Sequence, residues 1–92
     1  MLENLCAITL YKKYGSGIYY FNRNIEVDFY VPDEGLAVQA CYRMSDKATL
    51  EREIKALVAM NSLYPLTKAM IVTYEDEGVM ERDGLKIEIV PV

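Results

Sequence analysis

The chain has 92 residues, which is enough for one domain and too few for two. Its composition, 52% hydrophobic and 26% charged, is that of a folded globular protein and excludes collagen-like, low-complexity and disordered chains. The net charge is −4, so the chain lacks the basic footprint that dominates nucleic-acid binding. Histidine is absent from the sequence, which excludes histidine-based catalysis and histidine-ligated zinc.

The two cysteines, Cys6 and Cys41, are too few for a disulfide framework or a four-cysteine zinc site. We expect free thiols that act as small apolar side chains in the core. The first ten residues carry Glu3 and no basic residue, unlike a secretory signal. No apolar run approaches the ~20 residues of a membrane span. These features predict a cytoplasmic protein that makes no contact with a membrane.

The first half of the chain predicts one helix followed by three strands. Residues 1–14 repeat apolar side chains at helical spacing, and Gly15 follows them as a helix-ending residue. Residues 18–22 are β-prone, and residues 25–31 and 36–42 alternate apolar with polar side chains. The alternation predicts one apolar face in the strand 25–31, made by Ile25, Val27, Phe29 and Val31, and an opposite face of Glu26, Asp28 and Tyr30.

The turn Pro32-Asp33-Glu34-Gly35 joins the second and third strands as a hairpin. A two-residue loop at its centre pairs positions whose numbers sum to 67. That register places Asp28 opposite Gln39 and Glu26 opposite Cys41. A three-residue bulged loop would shift every pair by one position, so the shorter loop is the favoured interpretation.

The second half predicts a helix, a buried strand and a terminal hairpin. Ser45-Asp46 is suited to cap a helix over 47–61. Its inner face is predicted to carry Leu50, Ile54, Leu57, Val58 and Asn61, and its outer face Glu51, Arg52, Glu53 and Lys55, with Glu51 and Lys55 paired. The apolar run 69–74 predicts a strand covered on both faces, typical of parallel sheets. Asp83-Gly84 predicts a tight turn between the last two strands.

This order predicts a single α/β (α+β) domain over residues 1–92. The elements follow as α-β-β-β-α-β, with a C-terminal β-hairpin. We expect a mixed sheet flanked by two helices.

The sharpest candidate for chemistry is a group of carboxylates on the first hairpin. Glu26 and Asp28 stand two residues apart on one strand, and Gln39 on the next strand and Glu3 on the first helix complete the group. Oxygen ligands of this kind suit Mg²⁺ or Mn²⁺. The alternative is that these residues form the ordinary solvent-facing side of an antiparallel sheet, and spacing alone favours that alternative.

Two other features suggest weaker hypotheses. The eight tyrosines suit either base stacking or core edges and protein interfaces, and the second interpretation is favoured. A basic patch of Lys12, Lys13, Arg23 and Arg43 would support nucleic-acid binding. No phosphate-binding P-loop pattern is present, so the chain has no such route to ATP hydrolysis.

Several segments together resemble one known family. They are Leu2-Glu3-Asn4-Leu5, Tyr19-Tyr20-Phe21, Ile25-Glu26-Val27-Asp28-Phe29, Ser45-Asp46, Thr49-Leu50-Glu51-Arg52-Glu53 and the closing run 83–92. Their order and spacing resemble the C-terminal domain of unknown function that follows the ATPase module in bacterial and archaeal AAA-type ATPases. The resemblance covers nearly the whole chain and implies a fragment or truncated form of such an ATPase. It also implies the restriction-endonuclease-like, or PD-(D/E)XK, fold.

In active members of that fold, an acidic residue on the second core strand and a Glu-x-Lys on the third hold metal and activate water. The resemblance places Asp28 at the first position, Gln39 at the Glu position and Cys41 at the Lys position, with Glu3 at an acidic position of the first helix. Gln39 offers no negative charge and Cys41 no cation. Losing a single such group commonly lowers a rate by about 10²–10³-fold. The site is therefore expected to be vestigial.

The expected function is a non-catalytic structural or interaction domain. It needs no cofactor in this chain, since ATP and Mg²⁺ would belong to the ATPase module. Its expected partners are that module or a second copy of the domain. The alternatives are a nucleic-acid-binding module, which the net charge disfavours, and a divergent metal-dependent nuclease using Asp28, Glu26 and Glu3.

Overall fold

The computed structural model describes residues 2–22 and 24–92, which form a six-stranded mixed sheet with one helix on each face. The helices are α1 (Leu2–Tyr14) and α2 (Lys47–Leu63). The strands are β1 (Tyr19–Asn22), β2 (Glu26–Val31), β3 (Leu36–Ala40), β4 (Lys68–Thr73), β5 (Gly78–Arg82) and β6 (Leu85–Pro91). Met1 and Arg23, which the sequence places in the first helix and the predicted basic patch, lie outside the described residues. Neither described helix has the length and apolar content needed to cross a membrane.

The strand order in the sheet is β1-β2-β3-β4-β6-β5. Strands β1, β2 and β3 form an antiparallel meander, and α2 then carries the chain over to β4, which lies parallel to β3. Strand β6 is parallel to β4 on its other side. This confirms the prediction of a parallel strand covered on both faces, with Ile71 at its centre fully buried. The strand ends at Thr73, however, and Tyr74, the last residue of the predicted run 69–74, lies exposed beyond it.

The terminal hairpin is also confirmed. Asp83 and Gly84 are the two residues between the paired positions Arg82 and Leu85, and both have positive φ, at 52° and 83°. Positive φ at both central positions is the geometry that makes Asp-Gly a hairpin turn. The hairpin adds β6 and the edge strand β5 to the main sheet.

Each face of the sheet has its own core. The α2 face packs around Ile54, Leu57 and Met60 of the helix, against Ala37, Cys41, Ala69, Ile71, Ile87 and Ile89 of the sheet. The α1 face packs Leu2 and Cys6 against Val31, Leu36, Val38 and Val72. Met60, fully buried, takes the inner position predicted for Val58, which is only half-buried.

Strand β2 departs from the predicted alternation. Ile25 and Val27 pack with the α2 core, whereas Phe29 and Val31 pack with the α1 core, so the prediction of one shared apolar face is wrong. The reason is a β-bulge. Tyr19 pairs with Tyr30 and Phe21 with Val27, so two residues of β2, Asp28 and Phe29, lie opposite the single Tyr20. The extra residue reverses which side chains face each layer.

The β2–β3 hairpin keeps the predicted register. Phe29, Tyr30 and Val31 pair with Val38, Ala37 and Leu36, and each pair sums to 67. The connection is a 3₁₀ turn over Pro32–Glu34 rather than a two-residue loop. It ends at Gly35, whose positive φ of 59° suits glycine.

Helix α2 begins at the predicted cap. The Asp46 carboxylate accepts hydrogen bonds from the Thr49 N–H at 3.3 Å and from its hydroxyl at 2.9 Å. The predicted Glu51–Lys55 pair does not form as an ion pair. Glu51 instead accepts two hydrogen bonds from the Arg82 guanidinium, at 2.7 and 3.2 Å, because β5 brings that arginine beside the helix.

Candidate functional site at the fork between β2 and β3

Strands β2 and β3 separate beyond the Phe29–Val38 pair, and the side chains of Asp28 and Gln39 fill the fork between them. The Asp28 N–H donates to Gln39 Oε1 at 2.8 Å, and Gln39 Nε2 donates to the Glu26 carbonyl at 3.0 Å. The Ala40 N–H donates to Asp28 Oδ2 at 2.8 Å. Side chains therefore satisfy the backbone groups that the bulge leaves without partners in the ladder.

Gln39 has no exposed surface. The interpretation of this side chain as part of a solvent-facing strand surface is therefore wrong for Gln39, although it holds for the exposed Glu26. The primary amide is suited to this place because it supplies both an acceptor and a donor to two backbone groups. The structure thus brings Asp28 and Gln39 together as predicted, through a side chain rather than a backbone pair. The predicted Glu26–Cys41 pairing is replaced by the bond between Gln39 and Glu26.

Carboxylates from three elements line one cavity beside the fork, which we call the acidic cavity. Its volume is about 670 Å³, and Glu3 of α1, Glu26 and Asp28 of β2 and Glu53 of α2 contribute to it. Arg52 and Lys55 also line it and supply positive charge. The three residues predicted as metal ligands, Glu3, Glu26 and Asp28, thus share one cavity.

The acidic cavity makes ionisation of its half-buried carboxyls unfavourable. Burial raises the pKa of Asp28, and the charges of Glu3 and Glu26 add to that effect. The Ala40 N–H and Arg52 act in the opposite direction. Burial, followed by the charge of Asp28, raises the pKa of Glu53 to about 7.

Sequence reasoning placed Glu53 on the outer face of its helix, and that placement is wrong. The side chain is half-buried and faces Asp28 across the acidic cavity. The sequence contained a signal for this position. Glu53 lies three residues after Leu50 and four before Leu57, so it falls on the edge of the inner stripe.

Both cysteines are buried, as predicted, and neither sits in an activating environment. Cys41 belongs to the α2 core, its thiol donates to the Arg43 carbonyl at 3.3 Å, and burial raises its pKa. Cys6 lies in the α1 core. Burial, with the nearby charges of Asp28 and Glu3, raises its pKa to about 11. Protonated thiols of this kind are weak nucleophiles and weak metal ligands.

Two of the oxygens in the predicted metal site already accept backbone hydrogen bonds. One oxygen of Asp28 is bound to the Ala40 N–H, and the oxygen of Gln39 is bound to the Asp28 N–H. Across residues 2–22 and 24–92, no three Asp, Glu, Cys or His side chains are placed to hold one ion together. A hard cation needs several oxygen ligands converging at about 2.0–2.6 Å.

The predicted basic patch is divided among different elements. Lys12 and Lys13 lie exposed in the last turn of α1, and Arg43 follows β3 beside Glu75 and Asp76. The fourth member, Arg23, lies outside the described residues.

The tyrosines divide between core and surface. Phe21 and Tyr30 meet edge-to-face against the α2 core, which supports the core interpretation for Tyr30. Tyr64 also meets Phe21 edge-to-face but is 43% exposed, so it lies at the surface. Tyr42 and Tyr74 lie exposed just beyond the carboxyl ends of the parallel strands β3 and β4. Their rings stack with centroids 5.4 Å apart and 26° between planes. We call this pair the tyrosine platform.

The tyrosine platform borders a second cavity of about 550 Å³, whose other walls come from Arg43, Ser45, Glu75 and Asp76. In open α/β sheets, ligand sites commonly lie at the carboxyl ends of parallel strands. Sequence reasoning did not single out this pair, because nothing in the sequence showed that positions 42 and 74 become neighbours.

In comparisons with known proteins, the chain matches no family model, no curated protein and no solved structure.

Proposed function

We propose that this chain is a non-catalytic interaction domain with a restriction-endonuclease-like fold and a vestigial metal site. The domain would serve an AAA-type ATPase, as the sequence resemblance implies. Its partner would be the ATPase module or a second copy of the domain. The fully buried Gln39, hydrogen-bonded at both ends of its amide, is the observation that carries the proposal.

The arrangement of the sheet supports the fold part of the proposal. An antiparallel meander β1-β2-β3 is followed by a crossover helix and a parallel fourth strand. The helices α1 and α2 lie on opposite faces. This is the α-β-β-β-α-β order expected of the nuclease-like core, with β6 and β5 added beyond β4.

The chemistry of the fork supports the loss of catalysis. The position expected to hold a metal-binding glutamate holds a neutral amide committed to two backbone groups. The position expected to hold a lysine holds a buried thiol. Neither residue supplies the charge that binds a cation or activates water, and hydrolytic sites depend on such charges for most of their rate enhancement.

The surface of α1 supports an interaction role. Its inner side buries Leu2 and Cys6, yet its outer side exposes Leu5, Ile8 and Tyr11 to 44%, 54% and 66%. A helix that is apolar on both sides is usually covered on both sides. Exposed aliphatic and tyrosine side chains grouped on one helix are typical of protein contacts.

A metal titration followed by backbone amide NMR tests the catalytic part of the proposal. We would titrate Mg²⁺ and Mn²⁺ to millimolar concentration into the wild type, Asp28→Ala and the control Asp33→Ala, whose carboxylate is exposed in the 3₁₀ turn. We expect no saturable change that depends on Asp28. Saturable changes at Glu3, Asp28 and Gln39 that vanish only in Asp28→Ala, together with DNA cleavage, would establish a working nuclease instead.

Sedimentation velocity tests the interaction part. Ile8→Glu places a charge on the exposed apolar side of α1 without touching the core. If a second copy is the partner, the wild type should associate at high concentration and the variant should remain monomeric. If the ATPase module is the partner, the same variant should lose binding to that module. A variant that changes neither association would contradict the assignment of this surface.

A further inference from the structure

The tyrosine platform is held in place by hydrogen bonds between the two loops that carry it and by one within the second loop. The Met44 N–H donates to Asp76 Oδ2 at 2.8 Å, and the Thr73 hydroxyl donates to the Asp76 carbonyl at 2.8 Å. The Tyr74 N–H approaches the Tyr42 carbonyl at 3.4 Å. A preformed surface binds a ligand with little ordering cost. The platform is therefore suited to recognition as it stands.

The charge around the platform favours a cation. Glu75 and Asp76 line its cavity together with a single cation, Arg43, and Glu77 follows in the same loop. The faces of the tyrosine rings carry negative electrostatic potential and attract cations that lie over them. The whole chain, with a net charge of −4, adds long-range attraction for a basic partner.

The nearby backbone donors do not favour an anion. The amino terminus of α2, which would otherwise be the natural anion site, is capped by the Asp46 carboxylate. The Met44 N–H is bound to Asp76. A phosphate or carboxylate entering the cavity would meet these acidic side chains and find one cation, Arg43, among the lining residues.

We propose that the tyrosine platform and the carboxylates of Glu75 and Asp76 bind an arginine side chain from a basic segment of a partner protein. A guanidinium group is planar, so it can stack on a tyrosine ring while its edge donates to a carboxylate. A lysine ammonium group cannot make this flat contact. This inference deepens the proposed function, since it gives the chemistry of one partner contact, and its site is separate from the fork and from α1.

The test compares an arginine peptide with its neutral analogue. The probe is acetyl-Gly-Arg-Gly-amide, and the control peptide replaces arginine by citrulline, which keeps the shape and removes the charge. The readout is the initial slope of the Tyr74 and Glu75 amide shifts against peptide concentration, at low salt. The variants are Tyr74→Leu, Arg43→Ala and the control Tyr19→Leu, which changes a tyrosine of the edge strand β1 that is 58% exposed, against 44% for Tyr74.

We expect the arginine peptide to give the larger slope in the wild type. Tyr74→Leu should lower it about two- to five-fold, the worth of one exposed cation–π contact. Tyr19→Leu should leave it unchanged. Arg43→Ala should raise it about twofold, because the variant removes a like charge from the cavity. Equal slopes for the two peptides, or equal effects of Tyr74→Leu and Tyr19→Leu, would overturn the proposal.

A second titration, with adenosine monophosphate, separates a cation site from an anion site. If the nucleotide gives the larger slope and Arg43→Ala abolishes it, the platform is a nucleotide site and the arginine proposal is wrong. Failure of the arginine peptide would leave the metal titration and the α1 variant unaffected. The peptide titration therefore tests the arginine site alone, and the metal titration and the α1 variant test the proposed function.

Discussion

Replacing Gln39 by leucine should destabilise the protein, although no catalytic group is lost. Gln39→Leu keeps a similar volume but removes both hydrogen bonds of the buried amide. The Asp28 N–H and the Glu26 carbonyl would then lose partners at 2.8 and 3.0 Å. An unsatisfied buried polar group costs about 1–3 kcal/mol. Two such costs together amount to about 2–6 kcal/mol, and burying a leucine side chain returns about 1.5–3 kcal/mol of this, so we expect a net loss of about 1–3 kcal/mol in the free energy of unfolding.

Urea unfolding followed by far-ultraviolet circular dichroism measures this loss directly. The urea concentration at the midpoint of unfolding should fall. The slope of the free energy of unfolding against urea concentration should stay constant, because the same surface becomes exposed on unfolding. A loss below about 1 kcal/mol would refute the reasoning, because it would mean that water or the relaxed strands satisfy both groups.

A second variant, Gln39→Glu, tests the same two hydrogen bonds through the pH dependence of the free energy of unfolding. The introduced carboxylate keeps the acceptor for the Asp28 N–H but cannot donate to the Glu26 carbonyl while it is ionised. Burial beside Asp28 should raise its pKa in the folded state. The destabilisation relative to wild type should therefore be full at high pH and shrink as the pH falls through that raised value. A destabilisation that does not depend on pH would contradict this account of the fork.

Three further predictions concern other parts of the molecule. Glu53→Gln should stabilise the protein by about 1–2 kcal/mol above pH 7 and not below about pH 4, since the folded-state pKa of about 7 lies above the ordinary 4.5 and stability falls as pH rises between them; equal effects in urea unfolding at both pH values would contradict this. Gly35→Ala should cost about 1–3 kcal/mol, because the position has a φ of 59° and a Cβ would lie 2.7 Å from Thr67 Oγ1; an unchanged thermal midpoint would contradict that. Cys6 and Cys41, 4% and 1% exposed, should react with a thiol reagent such as DTNB only at the rate of unfolding; fast labelling of the native protein would show that a cysteine is accessible.

The order of elements was predictable from the sequence because most of its signals are local. Helical spacing ended by Gly15, the cap at Asp46 and the Asp83-Gly84 turn each act within a few residues. The apolar run 69–74 also predicted burial on both faces, since a strand beneath two helices has no solvent side. These features required no knowledge of distant contacts.

The candidate site was less predictable because its geometry depends on one inserted residue. Strict alternation in β2 argued for a regular strand, and nothing in the sequence marks the bulge at Asp28 and Phe29. Gln39 therefore looked like a surface residue, although the separated strands enclose it. Glu53 was assigned to the outer helix face because it is charged, while its spacing from Leu50 and Leu57 already indicated the inner edge.

The bulge in β2 also has a consequence for how the molecule comes apart. One short strand supplies Val27 to the core under α2 and Val31 to the core under α1, so the two cores share a common wall. Detaching β2 would expose both cores at once. Neither helix could therefore unfold separately together with a complete core of its own. Shortening the strand by the extra residue would move every side chain beyond it to the opposite core. An insertion or deletion at the bulge therefore alters the packing of both cores. We expect β2 to tolerate such changes poorly, although it lies next to the edge strand β1.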